Sequence, residues 1–80
     1  MVISAELSLY PLGTNSLGLP INAFIDELKK FNIEIQPGSM STLVIGNSDE
    51  IFNAIHAAFE AVSHDTNVAL IIKISNACPI

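Results

Sequence analysis

The sequence contains no arginine, and its three basic residues, Lys29, Lys30 and Lys73, stand against eight acids for a net charge of −5. Nucleic-acid affinity rests on Lys and Arg neutralising phosphates, so this balance argues against DNA or RNA as a partner. Anionic membrane surfaces are disfavoured for the same reason. A single cysteine, Cys78, leaves no internal disulfide to form. No apolar run approaches the roughly 20 residues that cross a bilayer. Glu6 interrupts the N-terminal apolar stretch too early for an export signal. The expectation is a cytoplasmic protein.

Chemistry-bearing clusters are equally scarce. His56 and His64 fall on one predicted helix, too far apart to chelate a metal well, and no third ligand converges on them. Cys78 sits beside Pro79 with no base next to it in sequence, which argues against a nucleophile. Gly13, Gly18, Gly38 and Gly46 are scattered, so no glycine loop is present to cradle phosphate. No cofactor is expected. Glu6 as a general base keeps a small dimeric enzyme open as an alternative, but no catalytic set accompanies it.

Half of the 80 residues are apolar and only 14% are charged. A chain of this length folds as one domain, here taken as residues 1–80. It buries only about 60% of the surface its unfolded form exposes, which makes the core marginal. Without disulfides or a structural metal, association between copies is the remaining support, and a homo-oligomer, dimer or tetramer, is expected. The negative charge attracts a small cation or simply serves solubility.

What is present reads as six elements. Val2 to Tyr10 alternates apolar and polar residues, the pattern of a strand with one face in a core, and Pro11 is expected to end it. A helix is predicted from Pro20, with Ile21, Phe24, Ile25, Leu28 and Phe31 at helical spacing. Ile33 to Gln36 reads as a short strand and Gln36-Pro37-Gly38-Ser39 as a turn. Met40 to Ile45 is the next strand, closed by Gly46. Asn47 and Glu50 form a capping-box-like start to a second helix, whose stripe is Ile51, Phe52, Ile55, Phe59 and Val62. Val68 to Ser75 is the last strand.

The order β-α-β-β-α-β is the ferredoxin-like α+β arrangement, a four-stranded antiparallel sheet with both helices on one face. The other face is then left uncovered. Ser4, Glu6, Ser8 and Tyr10 are expected to line it, with Ser41, Leu43 and Ile45 or, alternatively, Met40, Thr42 and Val44 from the third strand. The last strand contributes Ala69, Ile71, Lys73 and Ser75. This face reads either as wet sheet with a Glu6–Lys73 pair worth a few tenths of a kcal/mol, roughly, or as a shallow polar cleft for a small heteroaromatic ligand.

Four segments carry a resemblance that spans nearly the whole chain: Ser8-Leu9-Tyr10-Pro11-Leu12, Met40-Ser41-Thr42-Leu43-Val44 with Gly46, Asp49-Glu50-Ile51-Phe52, and Ser75-Asn76-Ala77-Cys78-Pro79. In order and in register they resemble the YkoF-type family of thiamine- and hydroxymethylpyrimidine-binding proteins. The resemblance implies non-catalytic binding of thiamine or its pyrimidine moiety, in salvage, transport or buffering of the vitamin. The resemblance together with the uncovered face gives Ser8, Tyr10, Ser41 and Thr42 as the expected ligand contacts; Ser75 and Asn76, and Glu6 and Lys73 from the face alone, are the further candidates. An alternative is a structural or regulatory oligomerisation domain with no small-molecule ligand. Thr42 points away from Ser41 in an ideal strand, so it reaches the ligand only if the start of that strand is twisted; otherwise it serves the helix layer.

Overall fold

The computed structural model describes residues 1–13, 15 and 18–77. The elements are β1 (Val2–Leu12), α1 (Gly18–Leu28), β2 (Glu34–Pro37), β3 (Thr42–Asn47), α2 (Ser48–Ser63) and β4 (Asn67–Ser75). The sheet runs β2-β3-β1-β4 with every neighbouring pair antiparallel. This is the ferredoxin-like α+β fold expected from the element order.

The alternation in β1 decides the layering. Ile3, Ala5 and Leu7 are buried against the helices, joined by Val44 of β3, Phe24 and Leu28 of α1, and Ile51, Ala54, Ile55, Ala58 and Val62 of α2. Ala5, Ala54 and Ala58 are completely buried, and their small side chains let α2 lie close to the sheet. Asp49 and Glu50 occupy the first turn of α2, where carboxylates complement the helix dipole.

Several boundaries differ from the sequence expectation, each for a local reason. Pro11 does not end β1, which continues to Leu12. The β3 ladder stops at Leu7, and Pro11 pairs only with Val68 of β4, so its missing N–H faces no β3 acceptor. Helix α1 begins at Gly18, placing Pro20 in its first turn. It stops at Leu28, so Phe31 reaches the core from beyond the helix.

Pro37 belongs to β2, paired with Thr42, and the turn is Gly38 to Ser41, closed by Gly38 N–H donating to Ser41 O at 2.8 Å. Met40 and Ser41 therefore precede β3, and Gly46 lies inside it rather than closing it. Asn47 caps α2 without a side-chain hydrogen bond. Glu50 Oε2 instead accepts from the backbone N–H of Asn32 at 3.3 Å. The buried stripe of α2 runs through alanines, leaving Phe52 and Phe59 exposed on its flank.

Candidate functional site

Register sorts the candidate residues by face. Glu6 opposes Leu43 on one side and Lys73 on the other, Ser4 opposes Ile45 and Ser75, and Ser8 opposes Ile71. These side chains share the face away from the helices, because opposed residues of antiparallel strands project the same way. Leu43 and Ile45, not Met40 and Val44, thus complete that face from β3. Thr42 opposes Leu7 and belongs to the helix side, where it is 7% exposed.

Glu6 and Lys73 are opposite in register, but no ion pair joins them among the described residues. The Glu6 carboxylate turns to the β3 side, where Ser41 Oγ donates to its Oε2 at 3.0 Å. Ser75 Oγ is committed locally, accepting from the N–H of Ala77 at 2.9 Å. Asn76 is exposed beyond the end of β4. Cys78 and Pro79 lie outside the described residues.

The candidates do not form one patch. Tyr10 opposes Ala69 near one end of β4, whereas Ser75 opposes Ser4 at the other. Six residues of strand separate Ala69 from Ser75, roughly 20 Å. A ligand of pyrimidine size reaches one end only. Tyr10, Ser41 and Thr42 cluster at one end; Ser75 and Asn76 stand at the other.

The concave surface lies at the Tyr10 end. Strand β3 begins opposite Leu7, so Ser8 to Leu12 of β1 have no β3 neighbour. Their backbone groups on that side are unpaired in the sheet ladder, and a gap opens beside them. It is bounded by the Gly38–Ser41 turn and by α1. A cavity of about 80 Å³ there is lined by Leu7, Leu9, Ile21, Phe24, Ile25, Thr42 and residues 38–41. A second concavity of about 280 Å³ adjoins it through Leu9, Ile21, Ser39 and Met40, and reaches Tyr10 and Pro11.

Chemically, the gap joins an apolar wall to hydroxyl groups. Leu9, Ile21 and Phe24 offer surface to a flat ring, and Ser39, Ser41 and Thr42 hydroxyls both donate and accept. Sequence reasoning missed the walls contributed by Leu9, Ile21, Phe24 and Met40. Phe24 reads as core from its spacing, and only Met40, an exposed apolar residue beside a Gly-Ser turn, carried a signal.

Residues 5–77 match a family described as thiamine-binding protein. The chain belongs to that family. A UPF0045 protein of Methanothermobacter thermautotrophicus is 41% identical over 64 residues, covering 76% of this chain and 65% of the relative. The UPF0045 protein MJ1052 of Methanocaldococcus jannaschii is 30% identical over 66 residues, 81% of this chain and 66% of the relative. The chain thus spans slightly less than two thirds of either curated relative.

The crystal structure of MJ1052 superposes with a TM-score of 0.88 at 28% identity, covering 99% of this chain and 84% of the other. A Thermotoga maritima protein, TM0486, described as a candidate for thiamine biosynthesis or salvage, gives 0.84 at 16% identity over 94% of this chain and 83% of its own. The latter likeness shows the shared fold. Among the described residues no helix is long and apolar enough to cross a membrane.

Proposed function

We propose that this chain binds thiamine or its hydroxymethylpyrimidine moiety without chemical turnover, in the gap between β1, the Gly38–Ser41 turn and α1. The observation that carries this reading is the family match over residues 5–77 together with hydroxyls facing an apolar wall. An aminopyrimidine carries ring acceptors and an exocyclic donor. Thr42, Ser41 and the unladdered backbone of Ser8 to Leu12 supply complementary groups. Leu9, Ile21 and Phe24 cover the ring face, with Tyr10 at the outer concavity. TM0486, with its description in thiamine biosynthesis or salvage, agrees with a role of this class.

Ser8 lies between Leu7 and Leu9 of the apolar wall with its side chain on the opposite face of the sheet, and Glu6 reaches the gap through Ser41. A carboxylate there favours the cationic thiazolium of thiamine over the neutral pyrimidine. Ser75 and Asn76 stand at the far end of β4, and Lys73 flanks Glu6 on the side away from Ser41, so in this reading none of the three contacts a ligand held in the gap. We further propose that the chain works as a homo-oligomer. Its core is small, and Leu43, Ile45 and the 61% exposed Ile71 lie on a sheet face with no helix over it. In this reading Glu6 serves ligand selectivity rather than acting as a general base.

Calorimetric titration with thiamine, its phosphates and free hydroxymethylpyrimidine tests the proposal. Saturable heat with at least one of them is expected. Absence of heat and of any thermal shift with all of them overturns it.

A further inference from the structure

We propose, on the reading of the gap as the thiamine site, that it takes its ligand unphosphorylated and that Glu6, through Ser41, turns phosphate esters of thiamine away. A phosphate monoester carries about −1.5 to −2 charges near neutral pH, and its oxygens only accept hydrogen bonds. A site that welcomes one needs cationic side chains or converging backbone N–H groups. The gap has neither, and what it presents instead is of the opposite polarity.

The chain has three lysines and no arginine, and no lysine is among the described residues that line either concavity. Lys73 flanks Glu6 from β4, on the side away from Ser41. Lys30 is paired with Glu27 at 3.0 Å. Lys29 stands one helical turn beyond Ile25 and is exposed. Backbone donors do not replace them. Gly38 N–H is already donated to Ser41 O across the turn. Pro20 deprives the first turn of α1 of one of the N–H groups that a helix N-terminus offers an anion. The unladdered stretch of β1 from Ser8 to Leu12 alternates N–H with C=O, and Pro11 has no N–H, so its donors do not converge on one anion.

Hydrogen-bond polarity works in the same direction. Ser41 Oγ donates its one proton to Glu6 Oε2 at 3.0 Å. A serine hydroxyl has a single donor and two acceptor lone pairs, so Ser41 keeps only acceptor capacity for the gap. That suits the exocyclic amine of an aminopyrimidine or a cationic ring, and it opposes a phosphate oxygen. Behind the hydroxyl, one hydrogen bond away, stands the Glu6 carboxylate, in a chain of net charge −5. The wall of Leu9, Ile21 and Phe24 screens charge less than water does, which strengthens both the attraction of a cation and the repulsion of a phosphate.

Titration calorimetry at low salt with thiamine and thiamine monophosphate is the test. Thiamine should bind about tenfold more tightly than its monophosphate, or better. Glu6→Gln removes the charge and keeps an acceptor for Ser41. It should narrow that ratio roughly threefold, lowering thiamine affinity and raising that of the monophosphate. Unaltered protein supplies a second readout: between ~0.01 and ~1 M salt the Debye length falls from about 30 to about 3 Å, and the ratio should shrink. Lys29→Ala should leave the ratio as it is. Equal affinity for the two compounds, a ratio that neither Glu6→Gln nor salt changes, or monophosphate binding that Lys29→Ala abolishes each overturns the proposal while leaving the gap a thiamine site. No binding of thiamine to the wild-type protein overturns both.

Discussion

Ser41 Oγ donates to Glu6 Oε2 at 3.0 Å, joining residues 35 positions apart in the chain. Strand register alone would give Glu6 a lysine partner in Lys73, yet the carboxylate turns the other way. The bond ties the Gly38–Ser41 turn to the middle of β1 at the mouth of the proposed binding gap. A short polar contact thereby sets the position of a loop that lines the site.

Ser41→Ala removes that tie and one hydroxyl from the gap. Thiamine affinity should fall by about 1 kcal/mol, the worth of one modest hydrogen bond. Calorimetry and a urea midpoint on the same variant check this, with little change expected in the midpoint because the pair is only part-buried. Unchanged thiamine affinity would remove Ser41 from the site.

Thr42→Val keeps the shape of a residue buried on the helix side while deleting its hydroxyl. Binding of free hydroxymethylpyrimidine should weaken roughly fivefold, about 1 kcal/mol, with the far-ultraviolet circular dichroism preserved. Equal affinity in the variant would assign Thr42 to the helix layer alone.

Gly38 has no room for a side chain. An added Cβ would stand 2.8 Å from the backbone oxygen of Ser41, the same oxygen that accepts the Gly38 N–H. Gly38→Ala should therefore destabilise the fold by more than about 1 kcal/mol and loosen the gap's outer wall. Thermal unfolding reads the first effect and titration the second. An alanine variant as stable as wild type would show that the turn adapts freely.

Ser4 is completely buried, and its Oγ has no hydrogen-bond partner among the described residues. An unsatisfied buried hydroxyl costs about 1–3 kcal/mol, so Ser4→Ala should stabilise the isolated chain in urea unfolding under dilute conditions. A loss of stability that appears only at concentrations where copies associate would mean that a second copy supplies the partner.

Much of the fold was legible because it rests on local chemistry. The alternation of Ile3, Ala5 and Leu7 against Ser4, Glu6 and Ser8 specified which face of β1 is buried, and the register obeys it. The stripes of α1 and α2 specified two helices over that face. Errors fell at positions where a neighbour far along the chain intervenes. Pro11 is tolerated in β1 because β3 stops short of it, and Glu50 leaves the capping box for Asn32.

The candidate site divides along the same line. Residue types, the scarcity of cations and the matching segments were properties of the sequence, and they directed attention to Ser8, Tyr10, Ser41 and Thr42. Whether those residues share a surface depended on distances that strand spacing does not encode. Tertiary structure put Tyr10, Ser41 and Thr42 around one gap, left Ser75 and Asn76 at the far end, and replaced the Glu6–Lys73 pair by Glu6–Ser41. The physical reason is that periodicity fixes the side to which a residue points. The space in front of it is set by where β3 begins and how α1 packs, and only the assembled chain determines both.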